Sequence, residues 1–355
     1  MEIANYQEAL EAFVNPMHEF TVEPFGGGLI NQSFIVTDTT VPEAFLMQKI
    51  NQHVFPDPIK LLDNYELLWE YIKEEEIIFL IPEQKYFSND KTWYRDSANE
   101  YWRVFEYIYS SQSFALAHTI SQAKSVARAF GSFTAAFKNL DPAKLKIVIP
   151  GFHDVTHRFR QFKTAIHKAD LKRLANSKEV VKEVLSMERY TSFYDVITES
   201  EEFPHRLMHH DAKISNVLFD VESGELICLV DFDTAMPGYY FSDLGDMIRS
   251  MAASADENDT DISSIHIRPE FYNAIVEGYL EETSTLLTDS ERNYIHYSGV
   301  LMIYMQALRF LTDYLDGDQY YKITYPGQNL DRAKNQMALL RSLQEFLKKD
   351  HAVLI

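Results

Sequence analysis

His209-His210-Asp211-Ala212-Lys213-Ile214-Ser215-Asn216 is followed by an apolar run, Val217-Leu218-Phe219, and a turn signal at Glu222-Ser223-Gly224. A second apolar run, Leu226 to Val230, then ends at Asp231. The order predicts loop, strand, tight turn, strand and acid, and such a hairpin returns Asp231 to the side of Asn216. Phosphoryl transfer from a nucleotide requires a carboxylate at the attacking hydroxyl and oxygen ligands for magnesium on the phosphates. Asp211 reads as the base that accepts the hydroxyl proton. Alone it would be an acidic loop residue; Asn216 five positions on and Asp231 beyond the hairpin change that reading. Asn216 offers magnesium a side-chain carbonyl and Asp231 a charged carboxylate. Lys213 reads either as a cation that neutralises the moving phosphoryl group or as a solvated lysine. His209 reads as a brace for the loop. Zinc is a poor fit to His209, His210 and Asp211, which lack a helical histidine pair or a cysteine partner.

Outward from this run, the chain divides by character. Strand signals dominate the first part: Phe20-Thr21-Val22 leads into Phe25-Gly26-Gly27-Gly28, and Ser33 to Thr37, Phe45 to Ile50, Ile77 to Ile81, Trp93 to Arg95 and Tyr101 to Tyr109 follow. One helix interrupts them over 58–73, where Ile59, Leu62, Tyr65, Leu68 and Ile72 share a stripe. Asp96 to Asn99 reads as a hairpin turn. After Ser110 the spacing turns helical over 120–140, 152–175, 269–282, 289–315 and 329–349. We expect an α+β chain with a β-rich nucleotide-binding lobe at 1–109 and a helical catalytic and substrate-binding lobe at 110–355, as in a two-lobed kinase.

Composition narrows the classes. The chain has 355 residues, 46 % of them hydrophobic, enough for a sizeable core and against wholesale disorder. A formal charge of −20 argues against non-specific nucleic-acid binding and against docking on an anionic membrane. The single cysteine, Cys228, lies in an apolar strand and reads as a buried hydrophobe, with no intrachain disulfide possible. Met1-Glu2-Ile3-Ala4-Asn5 has neither the basic region nor the apolar core of a signal peptide. Val300 to Met305 is too short to span a bilayer. A reducing, ATP-rich cytoplasm is the expected home.

Longer shared wording points to a family. It runs through Gly26-Gly27-Gly28-Leu29-Ile30-Asn31, Leu46-Met47-Gln48-Lys49-Ile50-Asn51, Ile149-Pro150-Gly151-Phe152-His153-Asp154, the catalytic run, and Asp231-Phe232-Asp233-Thr234-Ala235-Met236-Pro237-Gly238. Asp243-Leu244-Gly245-Asp246, Arg309 to Leu315 and Gly317 to Tyr321 complete it. With these segments the chain resembles the aminoglycoside phosphotransferase and choline kinase superfamily, whose fold is similar to that of protein kinases. Within it the likeness is greatest to the N-acetylhexosamine 1-kinases.

The resemblance implies ATP and Mg2+, and transfer of the γ-phosphoryl group to the anomeric hydroxyl of an N-acetylhexosamine. Asp231 would correspond to the first residue of the kinase Asp-Phe-Gly motif. Gly26, Gly27 and Gly28 would cover the phosphates, with Asn31 as a polar helper. A third-strand lysine would grip the phosphates. Lys49 is the candidate, with Gln48 as the alternative because neighbouring strand residues face opposite ways, and Glu66 or Glu70 would pair with it. Glu106, Tyr107 and Ile108 would form the hinge that meets the adenine. Arg309, with Tyr314 and Tyr320 nearby, would reach the sugar, and Asp154, Asp246 and Arg249 are further acceptor candidates. The competing readings are a kinase acting on an aminoglycoside, choline or an amino alcohol, and a nucleotide-binding pseudokinase. A cation at Arg309 opposes the first and the intact Asp211, Asn216 and Asp231 oppose the second.

Overall fold

A computed structural model describes residues 5–14, 16–26, 30–77 and 81–351. The chain falls into two compact units, neither a single run. The first comprises Met1–Gln112, Leu145–Ile149 and Leu218–Ala235, and the second Ser113–Lys144, Pro150–Val217 and Met236–Ile355. The division therefore differs from a single cut near residue 109, because the hairpin that ends at Asp231 groups with the first unit.

In the first unit, helix α1 (Gln7–Phe13) precedes strands β1 (Phe20–Pro24), β2 (Gln32–Asp38) and β3 (Glu43–Lys49). Helix α2 (Pro58–Glu74) and strands β4 (Trp93–Arg95) and β5 (Tyr101–Glu106) follow. The five strands form an antiparallel sheet in the order β1-β2-β3-β5-β4. Alternation assigns its faces. Phe34, Val36, Met47, Trp102 and Val104 bury one face together with Ala9 of α1 and Phe87. Gln48 and Arg103 are paired in register between β3 and β5, on the opposite face. On that face Tyr65 of α2 packs edge-on against Phe105 and Phe232, at ring-centroid distances of 5.0 and 5.9 Å. Pro58 opens α2, where its missing N–H costs nothing. A second sheet joins β6 (Ser111–Gln112), β8 (Val217–Asp220) and β9 (Leu226–Leu229).

Some boundaries differ from the sequence expectation. Strand β5 stops at Glu106, short of Tyr109. Ile77 and Ile81 are not in a strand, and 78–80 lie outside the described residues.

The second unit is helical: α3 (Ile120–Ala136), α4 (Val155–Lys168), α5 (Leu171–Asn176), α6 (Lys178–Ser186) and α7 (Arg189–Thr198) come first. After them come α8 (Phe241–Met251), α9 (Pro269–Thr283), α10 (Asp289–Asn293), α11 (Tyr297–Leu315) and α12 (Gln328–Asp350). Its only strand pair among the described residues is β7 (Arg206–Met208) with β10 (Met236–Gly238). Helix α11 is the axis, buried along nearly its whole length against α4, α8 and α12. Its helical apolar spacing continues all round rather than forming one stripe, as an enclosed helix requires. Glycine permits the closest approaches. A Cβ on Gly245 of α8 would lie 2.3 Å from the Ser298 carbonyl oxygen of α11, and one on Gly278 of α9 would lie 2.7 Å from that of Lys124 on α3. The single helix expected over 152–175 breaks at Ala169-Asp170, where the Asp170 side chain accepts the N–H groups of Lys172 and Arg173 and starts α5. The one expected over 289–315 breaks between Asn293 and Tyr297. No described helix is long and apolar enough to cross a membrane.

Candidate active site

Strand β7 delivers the chain into the loop that begins at His209. The His209 and His210 backbone N–H groups both donate to the Asp243 carboxylate of α8, at 2.8 and 2.7 Å, and Asp243 is fully buried. His209 is also fully buried, edge-on to Phe130 and Phe133. His210 adopts a left-handed φ of 62°, a conformation that non-glycine residues adopt rarely. Its ring fills the space beside Gly238, where a Cβ would come within 2.4 Å of Nε2. The bend turns the next side chain, Asp211, out of the core.

Asp211 is held from two directions. The Asn216 amide donates to its backbone oxygen and to Oδ2, each at 2.9 Å, and Lys213 Nζ lies 2.8 Å from Oδ2. A short 3-10 turn over Ile214–Asn216 brings Asn216 back to Asp211. Desolvation pushes the Asp211 carboxyl up, but the Lys213 ammonium and the Asn216 amide outweigh it, so the net shift is downward and the group is a carboxylate at neutral pH. These side-chain bonds both fall on Oδ2. Asp246 of α8 is buried and pairs with Arg249 at 2.7 Å, and Arg249 reaches Glu257 at 2.8 Å. Burial, and after it the Asp211 charge, keeps the Asp246 carboxyl above its ordinary range although Arg249 opposes them.

In the first unit, the turn between β8 and β9 is tied by Asp220, which accepts the Glu222 and Ser223 N–H groups, and by Gly224 at φ 70°. Asp231 follows β9 in the left-handed region (φ 65°, ψ 57°) and is exposed. Two residues on, Asp233 is buried and anchored. Arg103 Nη2 lies 2.5 Å from its Oδ1, and the Asn31 amide donates to Oδ2 at 2.6 Å. Asn31 in turn accepts the Asn51 N–H.

A model of the phosphotransferase enzyme family matches residues 21–288, three quarters of the chain and both stretches just described. The chain belongs to that family. As a member it is a phosphotransferase of the kind that phosphorylates small-molecule hydroxyl groups. Solved structures agree on the fold. A microcompartment-associated aminopropanol kinase superposes with a TM-score of 0.57 at 16 % identity, covering 98 % of each chain. The choline kinase of Cryptosporidium parvum gives 0.53 at 15 %, covering 98 % of this chain and 94 % of that one. A spectinomycin phosphotransferase solved with ADP and spectinomycin gives 0.53 at 13 %, covering 95 % of each.

The phosphotransferase departs from the sequence expectation at Lys49. That side chain lies on the α1 face of the sheet with Met47, and its ammonium meets Glu100 at 3.1 Å, not Glu66 or Glu70. Gln48 faces the other way. It donates to Ser33 and accepts from Arg103 Nε and Nη2 at 3.1 and 2.9 Å. The cation on the face that carries the Asp233 turn is thus Arg103, which sequence reading missed. Its signal was a lone charge between Trp102 and Val104 in a buried strand, which demands a partner.

Of the expected hinge, the Glu106 carboxylate accepts the Glu83 N–H, the Tyr107 N–H donates to the Ala44 oxygen at 3.2 Å, and the Ile108 oxygen accepts from the Ser111 hydroxyl at 2.6 Å. In the glycine run, Gly26 has φ 64° in open space, while Gly27 and Gly28 lie outside the described residues.

The acceptor candidates separate. Arg309 stacks on Phe152 at 4.8 Å and lies within 5.8 Å of Tyr320 and 5.5 Å of Tyr321. Phe152 stacks on His153, whose ring is 5.0 Å from that of His210, so a row of rings links Arg309 to the residue before Asp211. Tyr314 is not in this group. It is buried, and its ring lies under the Arg173 guanidinium on another side of α11. Asp154 is the N-cap of α4, accepting the His157 N–H at 2.7 Å, which is a structural use of its carboxylate.

Proposed function

We propose that this phosphotransferase moves the γ-phosphoryl group of ATP to the anomeric hydroxyl of an N-acetylhexosamine or closely related hexose, releasing ADP and a sugar 1-phosphate. The observation that supports it most is the Asp211 carboxylate, charged, oriented through Oδ2 by Lys213 and Asn216, and only about a quarter exposed. In the proposed step the sugar oxygen forms a bond to the γ-phosphorus as the bond to the β-phosphate oxygen breaks. The hydroxyl proton passes to Asp211. Lys213 offsets charge on the transferring group. An anomeric hydroxyl is more acidic than a simple alcohol, so the demand on the base is mild.

Magnesium, when bound, neutralises charge on the nucleotide phosphates. Asn216 and Asp231 are the residues we assign to it. Their donors are the hard oxygens that this ion selects, and the Asn216 amide nitrogen, not its carbonyl oxygen, makes the bonds to Asp211. Among the described residues no group of three or more His, Cys, Asp or Glu is placed to hold a metal. Magnesium does not need one, since it takes one or two protein oxygens and completes its shell with phosphates and water.

The choice of a neutral sugar over a cationic amino alcohol rests on Arg309 among the rings of Phe152, Tyr320 and Tyr321. Such rings suit a sugar face, and the guanidinium repels a cation. The test is transfer from radiolabelled ATP to a panel of N-acetylglucosamine, N-acetylgalactosamine, glucose, galactose, choline and aminopropanol. We expect labelled sugar 1-phosphate, with kcat falling about 10²–10⁴-fold in Asp211→Asn. Labelling of the amino alcohols alone would overturn the sugar assignment. Equal turnover in Asp211→Asn would remove Asp211 as the base.

A further inference from the structure

Helices α4 and α11, with the loop after α11, enclose a cleft of about 500 Å³. That volume is in the range of small-molecule sites. Its lining is basic in a chain of net charge −20: Arg158 and Arg160 from α4 face Arg309 from α11. Among the described residues, the first and last of these guanidinium groups donate only to neutral partners. Arg158 donates to the Phe152 oxygen at 3.2 and 3.3 Å and to Gln161 at 2.9 Å, and Arg309 donates to Gln306 at 3.0 Å.

Among the described residues no carboxylate lies within ion-pair distance of any of the three. In the same unit Arg173, Arg206 and Arg249 each meet one, at 2.6, 2.5 and 2.7 Å. Neither acid in the lining forms an ion pair with these arginines. Both oxygens of Asp313 are taken by the backbone N–H groups of Gln319, Tyr320 and Tyr321 and by the Asn329 amide, and Asp316 is exposed at the rim. Burial, and after it the Arg309 charge, pulls the Arg158 guanidinium down to about 10. Two part-buried like charges held together without a counter-ion are costly unless an anion completes the arrangement.

We infer that this cleft binds the phosphoryl group of a small phosphate monoester, or inorganic phosphate itself, between Arg158, Arg160 and Arg309. Guanidinium groups match the oxygens of such a dianion in paired hydrogen bonds, and the rings of Tyr320 and Tyr321 flank the space for whatever the phosphate carries. The cleft shares Arg309, Tyr320 and Tyr321 with the group assigned above to the acceptor, and titration with phosphate alone reads its anion binding whichever acceptor the enzyme phosphorylates.

The test is calorimetric titration of the intact protein, without nucleotide, with inorganic phosphate and separately with glucose 6-phosphate, against potassium chloride at equal ionic strength. We expect saturable binding of phosphate that chloride does not reproduce, and a loss of about tenfold or more in affinity in Arg158→Gln. Arg160→Gln, at an exposed position, gives the same readout should Arg158→Gln not fold. Tighter binding of glucose 6-phosphate assigns the site to a sugar phosphate, and equal or weaker binding assigns it to free phosphate. Absence of saturable binding, or unchanged affinity in the folded arginine variants, overturns the proposal.

Discussion

At the level of single residues, Arg103 shows what is at stake in the first unit. It is 3 % exposed, and its charge is matched by Asp233 and hydrogen-bonded to Gln48. Arg103→Gln strips the partner from a buried carboxylate, and we expect a loss of about 3–5 kcal/mol in urea unfolding. Adding Asp233→Asn should return part of it, because the uncompensated charge is then gone. Asp211, Asn216 and Asp231 stand out in the sequence because residue types with this chemistry at fixed spacing are a strong signal, and in the fold Asn216 and Lys213 converge on Asp211. Lys49 was not legible. Two adjacent polar residues on a strand point to opposite faces, and which face meets the Asp233 turn depends on where α1 packs. Arg309 and Tyr314 lie on one helix, yet a difference of five residues turns them to different neighbours.

Among the elements, the contact of α8 with α11 matters most to the loop that begins at His209, because α8 carries both Asp243 and Asp246. It depends on Gly245. An added Cβ would meet the Ser298 backbone oxygen at 2.3 Å and Met302 Cγ at the same distance, and a backbone oxygen cannot rotate away. Gly245→Ala should therefore destabilise by at least about 1–3 kcal/mol, read as a lower melting temperature, whereas an alanine on an open helix face would be neutral or favourable. Element types were largely visible beforehand: the hairpin, α2, α9 and α12 fall close to the positions their periodicity indicates. The boundaries were less visible. The break at Ala169-Asp170 depends on a capping aspartate inside a continuous helical pattern, and α6, α7 and α8 went unread because their apolar stripes are short. The left-handed backbone at His210 and Asp231 leaves no mark in periodicity.

For the whole molecule, Asp243 links stability to pH. Burial raises its carboxyl to about 7, against the pull of the His209 and His210 N–H groups. In the unfolded chain the group titrates near 4. Its contribution to stability is therefore full below about pH 4 and declines as pH rises toward 7, by about 1.4 kcal/mol per pH unit, because the folded state keeps a proton that the unfolded state has released. Above about pH 7 the two states lose it alike and the decline stops. Urea unfolding across this interval should show that decline in the parent relative to Asp243→Asn, whose side chain does not titrate. A constant difference between the two would show that Asp243 titrates at its ordinary pH in the fold.

The three-part make-up of the first unit governs how the protein is born. Its sheet is spelled out by Gln112, but Arg103 and Asn31 wait for Asp233, Asn64 for the carbonyls of Lys146 and Ala235, and Ser110 for the Val221 N–H. A ribosome adding about 5–20 residues per second needs on the order of ten seconds to travel from Gln112 to Ala235. Throughout that interval the nascent sheet carries an unmatched arginine and an unfilled aromatic face. The part of the chain made first is thus completed late, and until the hairpin has emerged the growing polypeptide holds at its amino-terminal end a sheet with one face still uncovered.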